Sequence, residues 1–213
     1  MRIFVGVLSA RINIVGPLAK LIEWAQDAGK HTVHVAVDET FGVDAGRSSL
    51  IERAKKWGCD IAFFFDSDVI PEESLQAFLS IIKQAFSRGY DMVVSPTLSI
   101  DKQILLFDKD NKPFGSPRAI PTSELFEVGR AGLGFFALSR KAIDSLKPLS
   151  EAIFINGPKK PLYCIYTVTL GEDYSLCDNV RACGNKIGCE PRLRVQHLKL
   201  QGIPSWRDGL LPR

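Results

Sequence analysis

Ile61-Ala62-Phe63-Phe64-Phe65-Asp66-Ser67-Asp68-Val69-Ile70-Pro71 is the stretch that decides the fold. Five apolar residues run straight into two carboxylates. A short, continuous apolar run reads as a strand buried on both faces, as in a parallel sheet. The C-terminal ends of such strands are where open α/β sheets place their ligands. Asp66 and Asp68 are two apart, so in an extended segment they project to the same side. Two convergent carboxylates suit a hard divalent cation, which prefers oxygen ligands and shares its remaining positions with substrate phosphates.

Working outward, the flanking segments alternate strand and helix. Ile3 to Leu8 reads as a first strand and Thr32 to Val37 as a second, ending at Asp38. From Pro17 to Gly29, the residues Leu18, Leu21, Ile22 and Ala25 fall at helical spacing. A loop through Gly42 and Gly46 is expected next, with Arg47 just before a helix marked by Leu50, Ile51, Ala54 and Trp57. Pro71 suits a first helical position, and Glu72 and Glu73 the positive end of that helix. Leu75, Phe78, Leu79, Ile82 and Phe86 form its apolar stripe, and Met92 to Ser95 a fourth strand. This rhythm predicts a parallel, doubly wound α/β sheet.

After Pro96 the pattern loosens. Strands are expected over 103–107, 126–130 and 134–138, the last two around the glycine-rich corner 129–134. Asp108 to Asn111 is turn-like, 112–124 a surface loop, and 147–170 irregular. A short helix is expected near 141–146, another from Asp173 to Cys183, and a last strand from Leu193 to Val195 leading to His197.

Composition sets outer limits. The 213 residues are 46% hydrophobic, enough for a substantial core, and the net charge of +3 gives no strong footprint for nucleic acid. No stretch approaches the roughly 18 apolar residues of a membrane span. Residues 1–8 lack a small-residue cleavage site after them and read as core strand, not as a leader. Of the five cysteines, Cys164, Cys177, Cys183 and Cys189 are too widely spaced for a zinc pattern. Reduced, mostly buried thiols and a cytoplasmic setting are the expectation.

Four features, in order, resemble the GT-A fold glycosyltransferases, and family 2 in particular: Asp66-Ser67-Asp68 after an apolar strand, the corner at 129–134, Gly171-Glu172-Asp173-Tyr174 opening a helix, and the late His197. The resemblance covers roughly 1–198 as one domain, with 199–213, which includes Trp206, as a tail or lid. It implies a Rossmann-like, mostly parallel sheet with helices on both faces. It further implies a metal-dependent, inverting transfer of a sugar from a UDP- or GDP-sugar to an acceptor hydroxyl. Mn²⁺ or Mg²⁺ would be held by Asp66, Asp68 and His197 on the donor diphosphate, acting as a Lewis acid on the leaving group. Asp173 would be the general base and Glu172 its partner. Leu8, Ser9 and Asp38 would line the base pocket, Arg47 would meet phosphate or sugar, and Ser67 and Gly132 would border the donor. Each residue also has a structural role open to it: a solvated turn for Asp66 and Asp68, a capping pair for Glu172 and Asp173, an exposed arginine for Arg47, a bulge or hairpin corner for the glycines.

Two rival activities share much of this pattern. A sugar-phosphate nucleotidyltransferase also combines such a sheet with carboxylate-bound Mg²⁺, but Ser9-Ala10-Arg11-Ile12-Asn13 is not its glycine-rich phosphate loop. A nucleotide-sugar-binding protein without catalysis would not need both acid pairs. The sugar, the nucleotide and the acceptor are not encoded in a readable pattern, and nucleic acid stays open as an acceptor.

Overall fold

The structure, a computed structural model, describes residues 1–8, 15–39, 42–96, 104–116, 120–152 and 159–197; for residues 15–18, Ala152 and His197 it describes the backbone alone. Ser9, the loop to Ile14 and the tail 198–213 lie outside the described residues.

The chain runs β1 (Arg2–Leu8), α1 (Val15–Gln26), β2 (Thr32–Asp38), α2 (Val43–Trp57), β3 (Ile61–Asp66), β4 (Val69–Pro71), α3 (Leu75–Ser87) and β5 (Met92–Val94). The second half runs β6 (Leu106–Phe107), β7 (Phe126–Val128), β8 (Arg130–Ala131), β9 (Phe135–Ser139), α4 (Arg140–Ser145), β10 (Ser150–Ala152), β11 (Lys160–Leu162), α5 (Glu172–Ala182), β12 (Ile187–Cys189) and β13 (Val195–His197). Seven strands form the central sheet in the order β2-β1-β3-β9-β5-β12-β7. β1 pairs in parallel with both β2 and β3, and β12 with β5, whereas β9 runs antiparallel between β3 and β5, and β7 antiparallel along the edge. The sheet is therefore mostly parallel, as the resemblance implies, with β9 and β7 antiparallel where the strand rhythm alone predicts a parallel sheet. β9 can enter from the other direction because it arrives from the glycine corner and leaves directly into α4, capped by Ser139.

β3 owes its central place to its sequence. Ala62 and Phe64 pack into one core cluster, Ile61, Phe63 and Phe65 into the other. On one face lie α2, α4 and α5, through Leu50, Ile143 and Leu176; on the other lie α1 and α3, through Trp24 and Phe78. Trp24 meets Phe63, Phe65 and Phe78 edge-on, with ring centroids 5.6, 5.5 and 5.1 Å apart. Each fully buried ring of this kind contributes about 1.5–3 kcal/mol of transfer free energy.

Several expectations are corrected here. In α1 the buried stripe is Leu21, Trp24 and, just beyond the helix, Ala28, while Ile22 faces solvent: a tryptophan outcompetes the smaller residues for the core. α2 starts at Val43, so Gly46 and Arg47 are inside it. Pro71 does not open a helix. It closes β4, which pairs with β13, and Ser74 caps α3 through its hydroxyl, which accepts from the Ala77 N–H at 3.2 Å. The segment 147–170 contains the hairpin β10–β11, and the last strand lies at Val195–His197 instead of Leu193–Val195. β12 was not anticipated: its three residues include Gly188, where a Cβ would come within 2.8 Å of Leu125 and 2.9 Å of Tyr90.

All five cysteines are free thiols, four of them buried. Among the described residues no helix is long and apolar enough to cross a membrane.

Candidate active site

The parallel strands β2, β1 and β3 end side by side. Leu8 is in register with Asp38 on one flank and Asp66 on the other. Leu8 and Asp38 are buried there, and Ser9, the next residue, is outside the described part of the chain. The backbone pins the carboxylate turn on both sides: the Ser67 N–H donates to Leu8 O at 2.8 Å and the Asp66 N–H to Gly134 O at 3.0 Å. Asp68, 3% exposed, follows in the turn before β4. β13 then pairs with β4 so that His197 lies opposite Val69, the residue after Asp68. The chain's last described strand thus returns to the Asp66-Ser67-Asp68 turn, bringing the His197 backbone beside it.

The second acid pair arrives on α5. Gly171 is the N-cap, and Glu172 and Asp173 occupy the first turn, where the helix dipole favours negative charge. Asp173 reaches beyond its own helix. Its Oδ2 accepts from the Leu133 N–H at 3.1 Å, and its Oδ1 accepts from Arg47 Nη1. Arg47, projecting from α2 and only 2% exposed, is the hub. Its Nη1 also lies 3.5 Å from Glu172 Oε1, its Nη2 donates to Asp66 Oδ1 at 3.1 Å, and Nη2 reaches Leu133 O at 3.5 Å. One guanidinium therefore ties the Asp66-Ser67-Asp68 turn, the Glu172-Asp173 pair and the glycine corner together, across more than a hundred residues of sequence.

The electrostatics follow from one cation among three carboxylates. Burial alone would lower the Arg47 pKa, but Asp173 and then Asp66 outweigh it, and the guanidinium is held protonated well above its ordinary range. Removal from water pushes Asp66 up to about 6; Arg47 pulls it down, while Asp173 and Asp68 push it further up. Glu172 is raised as well, first by burial and then by Asp173, against the pull of Arg47. The site thus carries more negative charge than its own cation neutralises.

Gly132 precedes Leu133 in the corner, and its Cβ position faces Leu105 at 3.0 Å while its N–H is bonded to Leu105 O. Its close approach is thus to protein. The harder glycine requirement is at Gly129, where a Cβ would fall 2.5 Å from Asp108 O. Among the described residues no three His, Cys, Asp or Glu side chains are grouped so that they could hold a metal by themselves. Sequence reasoning missed Leu133, which contributes only its backbone; the glycines flanking it were the available signal. It also missed Ser48, whose Oγ accepts from the Tyr163 N–H at 2.9 Å and anchors the segment leading to Glu172. His34 is structural: it stacks on Phe4 at 5.5 Å and lies 5.2 Å from the Trp57 ring.

No protein-family model and no curated protein matches the chain by sequence. Solved structures do match. A197 from STIV superposes with a TM-score of 0.61 at 16% identity, over 92% of this chain and 85% of that one. S. aureus TarS superposes at 0.53 and 12% identity, over 90% of this chain and 35% of that one. The chain has the GT-A fold. A glycosyltransferase involved in the glycosylation of the major capsid of PBCV-1 overlaps more loosely, with a TM-score of 0.38 at 13% identity, over 68% of this chain and 63% of that one. Within the GT-A fold the cluster around Arg47 sits at the carboxyl ends of the parallel strands, where a doubly wound sheet opens its crevice.

Proposed function

We propose that this protein is a divalent-metal-dependent glycosyltransferase that moves a sugar from a UDP- or GDP-sugar to an acceptor hydroxyl with inversion. The observation that carries the proposal is the Arg47 hub, which brings Asp66 and the Glu172-Asp173 pair into one charged cluster. The donor set suits a hard cation: Asp66 and Asp68 offer carboxylate oxygens from one tight turn, and a cation with few protein ligands keeps positions for diphosphate oxygens. When bound, Mn²⁺ or Mg²⁺ would supply Lewis-acid stabilisation of the departing nucleoside diphosphate. His197 is the expected third ligand, from β13 alongside.

The chain's own residues account for the remaining steps. Leu8 and Asp38 line the shelf for the nucleotide. Arg47 fixes the orientation of Asp66 and Asp173. Asp173 accepts the proton of the attacking acceptor hydroxyl. An ionised carboxylate has about four lone-pair sites, so its bonds to Arg47 and Leu133 leave room for that hydroxyl. Glu172, on the same turn, orients the acceptor. The sugar centre passes through an oxocarbenium-like transition state, as in other glycosyl chemistry.

Calorimetry with UDP and GDP, with Mn²⁺ and then with EDTA, tests the reading. Binding is expected only with metal, and Asp68→Ala is expected to abolish the metal effect while keeping the fold. Equal affinity in EDTA would sink the metal-bridged donor site.

A further inference from the structure

β2 is the outer strand of the central sheet, and its seven residues, Thr32-Val33-His34-Val35-Ala36-Val37-Asp38, make it as long as its neighbour β1. The Thr32 N–H donates to Met1 O at 3.0 Å, so Thr32, His34, Ala36 and Asp38 turn their backbone groups toward β1. Val33, Val35 and Val37 turn theirs outward. Arg53 marks the same direction, since its Nη1 donates to Val37 O at 3.1 Å. Among the described residues nothing else bonds to the N–H and C=O groups of these three valines.

A free edge is a template for another strand, and proteins blunt it with lysine, proline, a bulge or a short strand. β2 carries none of these devices: its register with β1 is unbroken over all seven residues. The opposite edge shows the usual remedy, because β7 is only three residues long. The side chains of Val33, Val35 and Val37 share one face of the sheet. Val33 and Val37 pack against the core cluster that holds Trp24, while Val35 is 37% exposed.

The row of valines is symmetric about Val35, and the charges at its ends are opposite. Lys30 and His31 precede the strand, and Asp38 and Glu39 end it. Antiparallel pairing about Val35 sets Val33 against Val37, Val35 against itself and His31 against Glu39, with Lys30 alongside. Parallel pairing in register would set Lys30 against Lys30 and Glu39 against Glu39. We propose that β2 pairs antiparallel with β2 of a second copy of this chain, giving a twofold dimer with one continuous sheet. In this register each opposed pair of valines exchanges N–H···O bonds. Val37 O has two lone pairs, so it accepts from Val33 of the other copy without releasing Arg53. β-branched residues directly opposite are favourable cross-strand partners, and a self-complementary patch closes at two copies. The inference stands apart from the glycosyltransferase reading.

Sedimentation equilibrium of the full chain across a concentration series tests it. The expected result is a 23.6 kDa monomer passing to a species of twice that mass and no further. A monomer at every concentration, or growth beyond the dimer, overturns the proposal. Amide exchange at Val33, Val35 and Val37 is expected to slow as concentration rises. Full protection already in dilute protein means that a segment of the same chain covers the edge, and overturns it too. Val35→Lys sets like charges face to face across the twofold and is expected to weaken association by at least about tenfold. The site is exposed, so the melting temperature in dilute solution is expected to stay near wild type. Unchanged association in Val35→Lys overturns the interface. Glu39→Lys is expected to weaken association a few-fold, and adding Lys30→Glu to restore it. No change in the single variant, or no recovery in the double, overturns the antiparallel register.

Discussion

Two buried ionic clusters in this molecule are built on opposite plans. Glu190 is 0% exposed, and its carboxylate is met by Arg192, through Nε at 2.9 Å, Nη2 at 2.7 Å and the Arg192 N–H at 3.0 Å. One charge answers one charge, and the result is a fixed turn between β12 and β13. Arg47 is as deeply buried, yet it faces Asp66, Glu172 and Asp173 together. That imbalance leaves carboxylate charge and lone pairs to spare. A matched pair shapes the chain; an unmatched cluster keeps capacity for a cation, a phosphate or a proton. The two arginines differ in side-chain burial, 39% exposed at Arg192 and 3% at Arg47, and in the count of carboxylates around them.

Removing each arginine sharpens the contrast. Arg47→Met leaves three carboxylates crowded together with no cation. A loss of about 3–5 kcal/mol, as for breaking a buried pair, is expected by denaturant unfolding, together with loss of metal-dependent nucleotide binding. Nucleotide binding that survives this substitution would break the assignment of Arg47 as hub. Arg192→Met strands a buried carboxylate, but its own head is partly exposed, so a smaller loss of about 3 kcal/mol is expected. Here nucleotide affinity should stay within a few-fold of wild type, and a large change would mean that the turn, too, belongs to the site.

The smallest effect concerns pH. The folded Asp66 carboxyl sits at about 6, above its ordinary value of 3.8. The folded state therefore holds this proton more tightly than the unfolded chain, and the stability so gained is present at low pH and lost as pH rises through 6. Asp66→Asn cannot make that change. The melting temperature of Asp66→Asn relative to wild type is expected to rise between pH 4.5 and 7.5. A difference that is flat, or that falls, would contradict a raised Asp66.

The same contrast explains what the sequence disclosed. Ile61 to Asp66 was legible as a strand because burial on both faces needs a run of apolar residues. Glu172 and Asp173 were legible because acids at a helix start carry a pattern. β4 was misread because Pro71 fits a helix start locally; only its pairing with β13, more than a hundred residues away, makes it a strand. β12 is three residues long with a glycine at its centre, so it carries no periodicity. Leu133 serves Asp173 and Arg47 through its N–H and C=O, and backbone groups leave no trace in residue identity. Nor could the sequence show that one arginine sits among three carboxylates, since that count exists only once α2, β3 and α5 are assembled.

In the proposed mechanism the surplus carboxylate at Arg47 serves catalysis, with Asp173 as the base. The most direct measurement is kcat beside melting temperature for Asp173→Asn, with the donor identified by the nucleotide screen. Asparagine keeps the size of the side chain, and Arg47 retains Asp66 and Glu172, so the account predicts a melting temperature within a few degrees of wild type and donor affinity changed by less than tenfold. Transfer should fall by roughly 10²–10⁴-fold, the range for loss of a general base. Normal turnover in Asp173→Asn, with the fold intact, would contradict the account and return Asp173 to the role of a structural partner of Arg47, as Glu190 is of Arg192.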